Sequence, residues 1–158
     1  MILSDKIKHE ITTEYENWFN EQYGSKTLEE RRKLGAFFTP PELTIKMIEK
    51  FETIENKTIL DPTCGTGNLL AACIIAGANP TLVYGNEYDP TFVDLCKKRL
   101  SKLGVPEDNI HEGDALNPAC LMKSNFRSKY SYQEVCKQEQ LGSGLTGTGE
   151  LAYKNDLW

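Results

Sequence analysis

Residues 57 to 89 constrain this chain more than any other stretch: KTILDPTCGTGNLLAACIIAGANPTLVYGNEYD. A short apolar run, Thr58-Ile59-Leu60, ends at Asp61. A turn of small residues follows, Pro62 to Gly67, and then a helical apolar block from Leu69 to Ala76. A second apolar run, Leu82-Val83-Tyr84, closes on Gly85-Asn86-Glu87. Strand, glycine turn, helix, strand and acid in that order make a right-handed βαβ unit. The acid falls about 20 residues past the glycines, the spacing of a ribose-binding carboxylate from a glycine-rich turn.

The chemistry of such a unit sits at the carboxyl ends of its strands. Asp61 ends the first strand there and supplies a fixed acceptor. Gly65 and Gly67 let backbone amides approach a ligand, and a helix opening at Asn68 offers free N–H groups. Glu87 ends the second strand, where a carboxylate can accept both hydroxyls of a ribose. The plainer role for Glu87 is a helix cap, but Asp89 with Pro90 behind it makes the better helix start. Tyr88 is placed either to lay its ring on a base or to pack at the rim. A short third strand at Asn109-Ile110-His111 leads to Asp114, which is either a third ligand acceptor or an ordinary loop aspartate.

The rest of the chain frames that unit. Ile7, Ile11, Tyr15 and Trp18 recur at helical spacing, with Ser4 or Asp5 to cap the helix and Gly24 to end it. This helix suits packing on the flank of the unit or docking on another protein. Thr27 to Lys33 predicts a second short helix. Thr39 is a fair cap for a third, with Pro41 in its first turn and an apolar face of Leu43, Met47, Ile48 and Phe51. Phe92, Leu95, Leu100 and Leu103 are the expected inward face of a helix over 91–103. Residues 131–141 suggest a further short helix, and GSGLTGTG at 142–149 a flexible tether.

Composition narrows the function classes. With 158 residues, 39% of them hydrophobic and 26% charged, the chain has the size of one ordinary globular domain. No apolar run reaches the roughly 20 residues of a membrane span, and the charged N-terminus does not resemble a signal peptide; a cytoplasmic location is expected. Five cysteines without a CxxC pair argue against a zinc knot or disulfide frame and for small buried apolar residues. Neither His9 nor His111 has a neighbour at metal-ligand spacing, so no metal site is expected. A net charge of −5 is not that of a chain gripping duplex DNA alone. Arg31-Arg32-Lys33 and Lys97-Lys98-Arg99 are locally basic and read best as solvated helix surface.

Four strings now stand in order: GAFFTPPELT, ILDPTCGTGNLL, GNEYDP and GDAL. Together they resemble the S-adenosylmethionine-binding half of adenine-specific DNA methyltransferases, above all the type I modification-subunit kind, over roughly residues 34–117. The resemblance implies an α/β fold: a partial Rossmann-like class I methyltransferase domain, with three central parallel strands, helices on both faces and an N-terminal helical segment before it. It divides the chain into N-terminal helices (1–34), a cofactor-binding domain (35–116) and a C-terminal extension (117–158). It implies that Phe38, Thr39 and Pro40 lie against the methionine end of S-adenosyl-L-methionine. Asp61, Thr63, Gly65, Gly67 and Asn68 belong to the loop beneath methionine and ribose. Glu87 is the ribose acid, Tyr88 the adjoining adenine contact, and Asp114 the partner of the adenine amine.

The chain also departs from the family. Members carry an Asn or Asp, Pro, Pro, aromatic tetrapeptide after a fourth strand, which holds the flipped base and its amine. Here the one Pro-Pro pair is Pro40-Pro41, in the first string, and Asn117-Pro118 continues with Ala119-Cys120. No catalytic residue is therefore assigned. In the family's sheet order, 3-2-1-4-5-7-6, strand four covers strand one, so the first strand is expected to be an open edge. A protein partner or a second copy is expected to cover it, with DNA contacted weakly or through a partner. Three hypotheses follow: a cofactor-binding protein that is not catalytic by itself, an adenine methyltransferase subunit completed by a partner, and a remnant without function.

Overall fold

The computed structural model describes residues 1–27, 29 and 38–116. The helix expected over Thr27–Lys33, the Arg31-Arg32-Lys33 cluster, and every expectation beyond residue 116 lie outside those residues.

Helix α1 runs Asp5–Tyr23, with Ser4 as its cap accepting from the Ile7 N–H. Ile11 and Trp18 are buried on it as the periodicity requires. Lys8 pairs with Glu49 at 2.8 Å, and Glu49 also accepts from the Leu3 N–H, so the start of the chain is fastened to the end of a second described helix. That helix, α2, is Pro41–Ile48. Its cap position is Pro40, not Thr39, and its buried face is Pro41, Thr44 and Ile48. Leu43 and Phe51, expected inside, are 49% and 42% exposed. The face turns because the Thr44 hydroxyl donates to the Pro40 carbonyl, which lets a polar residue sit in the core without an orphaned donor.

Strand β1 is Ile59–Asp61, β2 is Val83–Glu87 and β3 is Ile110–Glu112, one residue later than the sequence suggests. Asn109 is instead in a 3-10 turn, its side chain donating to the Val83 carbonyl at 2.9 Å. The strands form one parallel sheet in the order β1-β2-β3, with Asp61 beside Gly85 and Glu87 beside Glu112. This is the partial Rossmann-like sheet, with β1 at one edge among the described residues.

Helix α3, Asn68–Ile75, joins β1 to β2, and α4, Pro90–Ser101, joins β2 to β3. An apolar helix such as α3 must be buried on most sides. Leu70, Ala71, Ala72 and Cys73 are, packed in one core with Leu3 and Ile11 of the N-terminal segment, Ile48 of α2, Val83 and Ile110. Asp89 caps α4 through the Thr91 and Phe92 N–H groups. The inward face of α4 is Val93, Cys96 and Leu100; of the expected face Leu100 is buried, while Phe92, Leu95 and Leu103 are only partly buried. Gly67 explains the choice. A Cβ there would lie 2.9 Å from Cys96 Sγ and 3.2 Å from Leu100, so the Cys96–Leu100 side of the helix packs directly on the glycine turn.

Candidate cofactor site

The carboxyl edge of the sheet gathers three loops, those following β1, β2 and β3. In the first, Asp61 Oδ1 accepts from the Thr63 N–H at 3.1 Å, and the Gly67 N–H closes on the Cys64 carbonyl at 2.8 Å. Gly65 and Gly67 both have positive φ, 53° and 82°, which turns the chain sharply into α3. In the second, Glu87 Oε1 accepts from the N–H groups of Tyr88 and Asp89 at 2.8 and 2.9 Å. Its other oxygen accepts from the Gly65 N–H at 2.8 Å, so one carboxylate spans two loops. In the third, the Gly113 N–H donates to the Glu87 carbonyl and Asp114 accepts from the Leu116 N–H.

Asp61, Gly65, Gly67, Asn68 and Glu87 are thus brought together by direct bonds or by adjacency in one turn, and Thr39 joins them because Asn68 Nδ2 donates to its carbonyl at 3.2 Å. Thr63 contributes its N–H, with an exposed side chain. Asp114 is exposed on the β3 side of Glu87, and Tyr88 is 75% exposed next to it. Phe38 is committed elsewhere: its ring packs on Trp18, Phe19 and Tyr23 at centroid distances of 5.6, 5.8 and 5.0 Å, so it anchors its segment to α1. Pro40 is exposed at the start of α2.

Burial pushes the Asp61 carboxyl up to about 6, and the nearby Glu87 charge adds to it, against the Thr63 hydrogen bond. Cys64 and Cys96 lie with their sulfurs 3.8 Å apart, both buried. Their contact, then burial, holds the Cys64 thiol above its usual range; burial pushes Cys73 to about 12. These cysteines are inert core residues. Among the described residues no group of histidine, cysteine or acidic side chains could hold a metal ion. A cleft of about 560 Å³ lies between α1 and α4, lined by residues such as His9, Glu14 and Arg99, and none of Asp61, Glu87 and Asp114 lines it.

Two residues of the site escaped the sequence reading. Asn86 is 1% exposed, and its Nδ2 donates to the Pro62 carbonyl at 3.1 Å and the Gly113 carbonyl at 2.9 Å. Its own carbonyl accepts from the Cys64 N–H. A single amide therefore sets the spacing of the first and third loops. The signal was an asparagine in an otherwise apolar buried strand, where it is disfavoured. Arg99 is the second. Far from being solvated, it is 4% exposed. Its position one residue before Leu100, on the same side as Val93 and Cys96, was the available clue.

The site is rich in acceptors, with three carboxylates along the edge, and so suits a ligand carrying O–H and N–H donors and positive charge. The family model for N-6 DNA methylases matches residues 8–128. The chain belongs to the N-6 DNA methylase family. Members of this family are S-adenosylmethionine-dependent methyltransferases. The chain is 29% identical over 129 residues to the type II methyltransferase M.VspI of Vibrio sp. (strain 343), covering 80% of this chain and 30% of that protein. It is 33% identical over 121 residues to a probable cobalt-precorrin-6B C(15)-methyltransferase of Pyrobaculum aerophilum, covering 75% and 62%. The modification methylase CviBIII of Paramecium bursaria Chlorella virus NC1A is 28% identical, over 61% of this chain and 24% of its own. The chain thus spans less than two thirds of the length of each of these relatives. No solved structure matches it. Among the described residues no helix is long and apolar enough to cross a membrane.

Proposed function

We propose that this chain binds S-adenosyl-L-methionine in the manner of an adenine-specific DNA methyltransferase and does not transfer the methyl group by itself. The observation that carries the reading is the Glu87 carboxylate, held by backbone N–H groups of two loops between Asp61 and Asp114. The strand order supports the reading, with the Thr39–Asn68 contact and Asp61 on the β1 side, Glu87 at the centre and Asp114 on the β3 side. Glu87 would hold the ribose hydroxyls, Asp114 the adenine amine with Tyr88 beside it, and the Thr39 and glycine-turn side the methionine arm. The bound cofactor supplies an electrophilic methyl group. The buried Asp61 carboxyl is costly to ionise, and a cationic, donor-bearing ligand lowers that cost.

Nothing in these 158 residues reads as the Asn/Asp-Pro-Pro-aromatic group that would hold the target base. Membership of a DNA methylase family favours a second reading, in which a partner supplies that group together with DNA recognition and covers the β1 edge. Calorimetry with S-adenosylmethionine tests cofactor binding, and its absence at millimolar cofactor refutes both readings. Labelled-methyl incorporation into unmodified DNA separates them. Incorporation by the purified chain alone overturns both; incorporation that appears only when this chain is added to host extract favours the second.

A further inference from the structure

Arg99 connects three elements that the cofactor site depends on. From α4 its Nε and Nη2 donate to both carboxylate oxygens of Glu14 on α1, at 2.8 and 2.6 Å. The guanidinium lies 4.2 Å from the centre of the Trp18 ring, also on α1. Its Nη1 donates to Asn68 Oδ1 and to the Thr66 carbonyl, the latter at 3.4 Å. An amide whose oxygen is taken must present its nitrogen elsewhere. Asn68 Nδ2 accordingly points to the Thr39 carbonyl. Glu14, Arg99, Asn68 and Thr39 form one relay from the N-terminal helix to the segment in front of the glycine turn.

Packing alone does not call for such a residue. A buried ion pair is often replaceable by apolar side chains at little cost in stability. The directed donors, aimed at the Thr66 carbonyl and at the Asn68 side chain that in turn holds Thr39, are what an apolar residue would lack. We infer that Arg99 is a positioning residue for the methionine arm of the cofactor, acting through Asn68 and Thr66, and that α1 is a working part of the site. The inference rests on the proposed cofactor reading. It deepens that reading by assigning the β1 side of the site to a distinct control: the relay bonds directly to Thr66, Asn68 and Thr39, whereas Glu87 meets the turn only at Gly65 and Asp114 lies beyond it.

The test is calorimetry of the full chain with S-adenosylmethionine, S-adenosylhomocysteine and adenosine. The proteins are wild type, Arg99→Lys, which keeps the charge but loses the fork, and Asn68→Ala, which keeps the buried ion pair. Both variants should bind the two methionine-bearing ligands about tenfold more weakly, while adenosine stays within roughly twofold of wild type. Loss of all three ligands in proportion, or no loss, overturns the inference and leaves the cofactor reading standing. Wild type that binds none of the three sinks both. Should Arg99→Lys fail to fold, Glu14→Gln decides, because it loosens the Arg99 fork from α1 at a residue outside the cofactor loop; an unchanged preference among the three ligands then overturns the inference.

Discussion

The Gly65 N–H donates to Glu87 Oε2 at 2.8 Å, tying the turn after β1 to the end of β2. A carboxylate, with about four lone-pair sites, can serve this bond, two more from Tyr88 and Asp89, and still offer one on Oε2 to a ligand. A glutamine cannot. With its oxygen on the Tyr88 and Asp89 amides, its NH2 faces the Gly65 N–H, donor against donor. Glu87→Gln should therefore lower stability by about 1–3 kcal/mol, the cost of an unmade bond to a charged group. Cofactor affinity should fall by about tenfold or more. Thermal melting and calorimetry read the two effects, and unchanged affinity in a folded Glu87→Gln protein removes Glu87 from the site.

Asn86 gives a prediction with an internal control. Its Nδ2 faces two carbonyls, those of Pro62 and Gly113, while its Oδ1 is buried without a partner among the described residues. Asn86→Ala strands both carbonyls, at about 1–3 kcal/mol each when fully buried. Asn86→Asp is the harsher change at neutral pH, because it places a buried carboxylate against two carbonyl oxygens. Denaturant melts should rank wild type above Asn86→Ala above Asn86→Asp at pH 8, with the gap between the variants closing in acid as the aspartate protonates. An Asn86→Asp protein as stable as wild type at pH 8 contradicts the assigned amide orientation.

The elements and the central acids were legible because local rules govern them. The run into Asp61, the glycine turn, the Asp89-Pro90 cap and the acid at 87 each follow from a few adjacent residues. The faces of α2 and α4 were not, since apolar content does not say which side of a helix meets the sheet. Thr44 entered the core through its bond to Pro40, and Cys96 and Leu100 turn inward where Gly67, without a Cβ, lets them pack on the turn. Asn86 and Arg99 were missed for a related reason. Their partners, Pro62 and Gly113 for one, Glu14 and Thr66 for the other, are distant in sequence, and a basic run looks solvated until the fold places Trp18 and Glu14 over it.

Asp61 makes both stability and binding depend on pH, in opposite senses. Its carboxyl titrates at about 6 in the fold, chiefly through burial, against 3.8 as the ordinary value. Between those values the native state holds a proton that the unfolded chain has released, so unfolding loses protons and stability falls as pH rises. The stabilisation is complete below pH 3.8, is lost through about 6, and amounts to the order of 3 kcal/mol. Asp61→Asn removes a charge the fold holds unfavourably. It should raise stability at pH 8 by up to that amount and leave it unchanged near pH 4. A ligand that donates to the carboxylate favours its ionised form, so cofactor affinity should rise with pH through about 6 in the wild type and stay level in Asp61→Asn. Urea melts between pH 4 and 8 and calorimetry between pH 5 and 8 supply the two curves. A wild-type affinity that falls across this interval would show that the ligand does not meet Asp61 as an acceptor.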